Sequence, residues 1–384
     1  MVFAENGLWK RARKYQVEVL AFCKKHLGWL HPSTISARRS LAESEWNLFD
    51  IRSAIIMQLY TLAACWISRP QIGDWFTWPP WYPDHVSFCR SLSDLTLSLW
   101  LAGKREWARR LGERAVQGLT RRLGPEDPLT LTAMFNLGRT FLHLGNHTAS
   151  RALLRAVLRR RRRLFGPDHP DTLLARNELG MSLCATGTNL GAAERLVTNV
   201  LASRRRLLGD EHAYTLWSLN DLAKVYCARQ RPLLAIRMLE DEVLPVARRT
   251  LGEHHVGVFM TKANLAQAYV RAERCVQAKA LLRELLATIL PDRPEWVHAM
   301  SGYIHVQIAT GQLAEAEQGC VRVLGIITKK RLLAQDSPRT LAVAGQLAFI
   351  YRTQGRMEEL QRLKTKYPLL ALPDDQQRFD IWHV

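Results

Sequence analysis

Apolar residues along this chain recur at three- and four-residue spacing in blocks, and the blocks restart on a regular clock. A turn-forming position marks each restart, at Pro32, Val86, Pro128, Pro170, Ala213, Val256, Pro294 and Pro338, in steps of 54, 42, 42, 43, 43, 38 and 44 residues. Nine residues after each stands Leu41, Leu95, Leu137, Leu179, Leu222, Leu265, Tyr303 or Leu347. Twenty-two residues after each stands Ala54, Ala108, Ser150, Ala192, Ala235, Ala278, Ala316 or Leu360, so that position is mostly small. Fixed internal offsets with variable connections predict stacked helical hairpins in place of one globular core.

The block from Asp168 to Gly209 shows the physics of one unit. In its opening loop, residues 166–172, Pro170 fixes the turn, and Asp or Thr can cap the helix that follows. That helix is predicted on Leu173, Leu179, Gly180 and Leu183; Gly187 breaks it, and a second helix presents Ala192, Leu196, Val200 and Leu201 on one face. The small residues Gly180 and Ala192 fit a close approach of two backbones. A single hairpin cannot bury both faces, so its stability comes from neighbours. The expected fold is all-α: an α-solenoid of about eight hairpins. Residues 1–30 read as a half repeat holding only a second helix. Residues 31–84 read as a first full repeat with an insertion, 85–367 as seven further repeats, and 368–384 as a tail, whose Leu369, Leu370 and Trp382 are placed to cap the last hairpin. The half repeat, with Ala12 in phase, is expected to expose an apolar face that a partner, a second copy or an upstream segment would cover. The insertion, residues 71–83, carries Trp75, Trp78 and Trp81 among prolines, a stiff non-helical loop that either plugs the first hairpins or offers an aromatic contact surface.

The stretches Leu-Gly-Pro-Glu-Asp-Pro-Leu-Thr-Leu (123–131), Phe-Gly-Pro-Asp-His-Pro-Asp-Thr-Leu (165–173), Leu-Gly-Asp-Glu-His-Ala-Tyr-Thr-Leu (208–216) and Ala-Asn-Leu-Ala-Gln-Ala-Tyr (263–269) resemble tetratricopeptide repeats of the long type. Such repeats occur in kinesin light chains and in the carboxy-terminal arrays of fungal NB-ARC/STAND (NLR-like) proteins. The resemblance spans residues 7–366. It implies that first helices line a concave groove and that asparagines seven or eight residues after the turn hold an extended peptide by its backbone. Asn177 and Asn220 match at the seventh position, Asn136 and Asn264 at the eighth. One turn further the same face presents Arg139, Met181, Lys224, Gln267, His305 and Phe349, of which Arg139, Lys224 and His305 are cationic or can become so, a bias toward acidic peptides.

Charge sharpens this picture. The formal net charge is +19, and basic clusters recur at the ends of second helices: Lys24-Lys25, Arg121-Arg122, Arg159, Arg160, Arg161, Arg162 and Arg163, then Arg204, Arg205 and Arg206, Arg248-Arg249, and residues 329–331. Cations there complement the helix dipole. They also form a candidate basic edge for RNA or another polyanion. Five consecutive arginines must point all round their helix.

Seven scattered cysteines, never in a C-x-x-C pair, read as thiols in a reducing compartment, cytoplasm or nucleus. His31, His85, His169, His212 and His255 each precede the turn position, so they lie a repeat apart, and no metal site is expected. Phosphate loops, dinucleotide fingerprints, H-E-x-x-H and G-x-S-x-G are absent from the sequence, which argues for a non-enzymatic chain without cofactor. Lys10, Arg11 and Arg13 interrupt any leader-like apolar run, and the most apolar stretch, 54–67, is too short to span a bilayer. The expected function is a scaffold that binds protein or peptide partners, with nucleic acid along the arginine edge as the alternative and self-association through the half repeat as a further possibility.

Overall fold

A computed structural model describes residues 9–47, 51–67, 85–101, 104–187, 189–253, 255–291, 294–330, 338–368 and 370. Among them every regular element is helical. The chain divides into two compact units, Met1–Ser182 and Leu183–Val384. The first holds α1 (Trp9–Leu27), α2 (Pro32–Asn47), α3 (Ile51–Ile67), α4 (His85–Leu101), α5 (Arg105–Leu123), α6 (Pro128–His143) and α7 (His147–Phe165); the division falls within α8 (Pro170–Ala185). The second holds α9 (Leu190–Leu208), α10 (Ala213–Ala228) and α11, which runs as Pro232–Met238, a π-turn at Leu239–Val243, and Leu244–Leu251. It continues with α12 (Val256–Arg271), α13 (Cys275–Thr288), α14 (Pro294–Ala309), α15 (Leu313–Lys330), α16 (Pro338–Thr353) and α17 (Met357–Lys366). Within each unit consecutive helices pack as hairpins, each second helix packs on the next first helix, and first helices touch one another, as in α4 with α6 and α12 with α14. This is the all-α solenoid architecture that the periodicity predicts. The aromatic insertion with Trp75, Trp78 and Trp81, the cluster at 331, Leu369 and Trp382 lie outside the described residues.

The turn positions are helix starts: seven of the eight coincide with the first residue of a first helix, and α4 begins one residue earlier, at His85. Capping explains why. Asp127 accepts from the Leu129 N–H at 2.8 Å, and the recurring histidines do the same work through Nδ1, His255 accepting from Gly257 N–H at 2.9 Å and His212 from Tyr214 N–H at 3.2 Å. His31 and His169 cap in the same way. Four of the five histidines that precede the turns, His31, His169, His212 and His255, are therefore N-caps, while His85 is itself the first residue of α4. Second helices end on Gly124, Gly166, Gly209 and Gly252 with φ of 85 to 88°, a left-handed turn that glycine enters without a Cβ clash.

The small phase position is the closest-packed site: Ala54, Ala108, Ser150, Ala235, Ala278 and Ala316 have no exposed surface. Ala192 does not share this. Ala193 is the fully buried residue of α9, with Val197, Val200 and Leu201 beside it. The reason is a turn one residue longer, in which Gly187 and Asn189 both take left-handed φ before α9 starts. The next repeat also takes a 43-residue step but places its extra residue inside the helix. There the Leu244 N–H bonds back to the Leu239 carbonyl, next to Pro245, which has no N–H to give. At the far end Leu370 packs on a core containing Leu360, Leu363 and Tyr367.

Candidate functional site

The amides singled out in the sequence are buried: Asn136, Asn177, Asn220, Asn264 and Gln267 all lie below the surface of the first helices. Phase explains three rungs of a ladder, two of which these amides make. The residue eight after a turn donates to the residue seven after the preceding turn. Asn136 Nδ2 reaches Ser93 Oγ at 3.1 Å, Asn264 Nδ2 reaches Asn220 Oδ1 at 2.9 Å, and Gln346 Nε2 reaches the Ser301 carbonyl at 2.9 Å. Asn220 Nδ2 in turn donates to Thr261 Oγ1 at 3.1 Å and to its own helix at Leu216. This polar ladder links first helix to first helix. Ser93, Thr261, Ser301 and Gln346 belong to it and were not singled out in the sequence, although the seven-and-eight phase rule would have found three of them.

What remains open on the first-helix face lies four and eleven residues after each turn. In the C-terminal unit the fourth position gives Trp217 and Met260, exposed at 43% and 37%, followed by half-buried His298. The eleventh gives Lys224 and His305, while Gln267 is buried. Burial pushes the His298 imidazole down to about 3, with repulsion from Arg339 and then Lys224 adding to it. His298 is therefore neutral at physiological pH. Lys224 keeps Asp221 at 3.6 Å. In the N-terminal unit Arg139 is held against Glu178 at 3.3 Å.

The basic edge divides. Arg161 and Arg204 are 2% and 3% exposed and do not belong to it. Arg161 donates to the Asp171 carbonyl at 3.0 Å and Thr132 Oγ1 at 3.2 Å, with its guanidinium over the Phe135 ring. Arg204 donates to the Tyr214 carbonyl at 3.0 Å and Ser218 Oγ at 2.7 Å. Each is in step with the buried stripe of its helix, Leu154, Val157 and Arg161 or Val197, Val200 and Arg204, and so points inward. Arg159, Arg162, Arg163, Arg205 and Arg206 are exposed and Arg160 half-buried. Arg163 pairs with Glu126, Arg205 with Asp210 and Glu242, and Arg249 with Glu211.

The tetratricopeptide-repeat family matches at residues 130–171 and again at 177–242. No curated protein matches the chain. Among solved structures, a putative kinesin light chain with nearly identical TPR-like repeats from Podosopora anserina is 26% identical over 54% of this chain and 97% of its own, with a TM-score of 0.45. A second crystal structure with that description is 27% identical over 53% and 96%, with a TM-score of 0.44. BtubC (BKLC) from P. vanneervenii is 18% identical over 64% and 94%, with a TM-score of 0.47.

Tetratricopeptide repeats suggest a protein–protein interaction scaffold. Among the described residues no helix is long and apolar enough to cross a membrane, and no cluster of three metal-ligating side chains occurs. The repeat ladder carries its own test. Asn220→Ala removes the donor to Thr261 and the acceptor for Asn264, and leaves buried polar groups without partners. We expect a loss of about 1–3 kcal/mol in urea unfolding of the full chain. An unchanged midpoint would return these amides to the ligand.

Proposed function

We propose that this chain is a non-enzymatic scaffold whose C-terminal unit takes extended, acidic peptide segments along its first-helix face. The observation that carries this reading is the open first-helix face of that unit, on which Trp217 and Met260 are exposed and Lys224 is half-buried. A positive field over apolar side chains suits a peptide that alternates acidic and large apolar residues. The buried amides serve the repeat stack, so peptide contact rests on Trp217, Lys224, Met260, His298 and His305 together with Arg339. Six described cysteines that form no disulfide with one another suit a reducing compartment, cytoplasm or nucleus.

The test is affinity capture from lysate at physiological salt, with and without nuclease, comparing the native chain with Lys224→Glu/Arg339→Glu. We expect a discrete protein set that survives nuclease and falls by about tenfold with the charge reversal. Retention that vanishes with nuclease and with modest added salt would overturn the reading in favour of a polyanion.

A further inference from the structure

The arginines toward the ends of second helices follow two patterns, one in each unit. In the C-terminal unit several are neutralised by acids of that unit: Arg205 pairs with Asp210 and Glu242, Arg248 with Glu253 and Glu284, and Arg249 with Glu211. In the N-terminal unit Arg121, Arg122, Arg155, Arg159 and Arg162 are exposed, and none of the five pairs with an acid among the described residues. Helix α7 carries seven arginines and no acid along its 19 residues.

Placement makes one patch of them. Arg155, Arg159 and Arg162 follow at four- and three-residue steps, so they share one exposed face of α7 over roughly 10 Å of its length. The end of α7 is tied back to the loop after α5, Arg160 donating to the Pro125 carbonyl at 3.2 Å and Arg163 pairing with Glu126. That tie brings the end of α5, with Arg121 and Arg122, to the same edge. Burial and then repulsion from Arg162 push the Arg176 guanidinium of α8 below its usual value, with Asp168 only partly offsetting them. Like charges held this close gain from an outside anion.

Chemistry selects the anion. Leu164, the exposed large apolar residue of α7, lies two residues beyond Arg162 and so on the opposite side of the helix. The arginine face therefore lacks the apolar anchors with which a lipid surface or a protein interface is held. The phenyl ring of α7, Phe165, is half-buried and stacked on His169 at 4.7 Å, so unpaired bases find no open platform. What remains is a row of planar, bidentate donors that fits phosphate oxygens. A duplex presents such oxygens at regular spacing and is held without base contacts.

We infer that the N-terminal unit binds the phosphate backbone of a nucleic-acid duplex along α7 and the end of α5, without reading its sequence. This site lies in the other unit from the peptide face and stands independently of it.

The probes are fluorescein-labelled duplexes of about 20 base pairs, one of RNA and one of DNA, titrated with the full chain and followed by anisotropy between about 50 and 200 mM salt. We expect log K to fall against log salt with a slope of about −4 to −5, as five phosphate contacts require, and the tighter duplex names the source of the phosphate. Arg155→Gln/Arg159→Gln/Arg162→Gln should weaken binding by at least about tenfold and flatten the slope by about 3, with the melting curve unchanged. Arg231→Gln/Arg237→Gln/Arg274→Gln takes the same charge from exposed positions of the C-terminal unit and should leave binding intact. No binding to either duplex, or equal losses from the two triple variants, would overturn the inference, the latter because net charge alone would then hold the duplex. Tighter binding of a single strand, of polyglutamate of matched charge or of phosphatidylserine vesicles than of either duplex would overturn it in favour of that partner.

Discussion

Arg161→Ala should destabilise the N-terminal unit by about 3 kcal/mol, and Arg159→Ala, two residues earlier in the same arginine run, by less than about 0.5 kcal/mol. The two side chains are chemically identical and differ in direction. Arg161 lies beneath the surface, with donors on the Asp171 carbonyl and Thr132 Oγ1 and its planar group over Phe135. Truncation removes these charge-assisted bonds and leaves a cavity the length of the side chain between α7 and the start of α8. Arg159 is exposed and carries no such burden. Arg204→Ala repeats the experiment in the C-terminal unit, where the same kind of contact runs from α9 to the first turn of α10 at Tyr214. Chemical denaturation followed by circular dichroism reads the outcome. If both arginines of the first pair prove neutral to folding, and both alter polyanion binding, the run is an edge after all and the buried geometry is wrong.

The arginine result bears on how far a repeat can be read without coordinates. The clock of turn positions located the helix starts because the residues there act locally: Asp and His just before the turn accept from backbone N–H groups two residues away, and Pro at the first helical position fixes φ. The apolar residue nine places on was equally legible: Leu41, Leu95, Leu137, Leu179, Leu222, Leu265 and Leu347 are all buried, while Tyr303 is half-buried. Side chains whose partners lie a repeat away were harder to read. Asn264 looks like a free amide until Asn220, 44 residues earlier, is seen to accept from it. The inward direction of Arg161 was nonetheless available, since a seven-residue step from Leu154 returns to the same helix face. Composition obscured it, because five arginines in a row suggest a surface. The open face of Trp217, Lys224 and Met260 was legible only for Lys224, since exposure at the fourth position depends on how the first helices are rotated against one another.

Ala193→Leu should cost about 1–3 kcal/mol, or prevent folding of the C-terminal unit altogether, whereas Ala192→Leu should fall within about 0.5 kcal/mol of the native chain. The repeat phase taken from the sequence assigns the opposite order, because Ala192 is the residue twenty-two after Pro170. Ala193 has no exposed surface and sits at the tightest point of α9, so three added carbons must displace Val197 or the facing helix. Ala192 is half-buried near the start of the helix, where its N–H bonds to Asn189 and its side chain has room. What moved the phase is one added residue in the turn, taken up by left-handed Gly187 and Asn189. The following repeat meets the same surplus differently: α11 begins on time, keeps Ala235 buried, and takes the extra residue as the π-turn at Leu239–Val243 after the close contact has been made. An insertion before the small position must shift the register of the hairpin, while one after it leaves the contact in place. Removing one residue from the turn 186–189 should therefore exchange the two alanines, making Ala192→Leu the costly substitution in that background and Ala193→Leu the tolerated one. Thermal unfolding of the four variants decides it, and an order that does not exchange would show that the turn is not what sets the register.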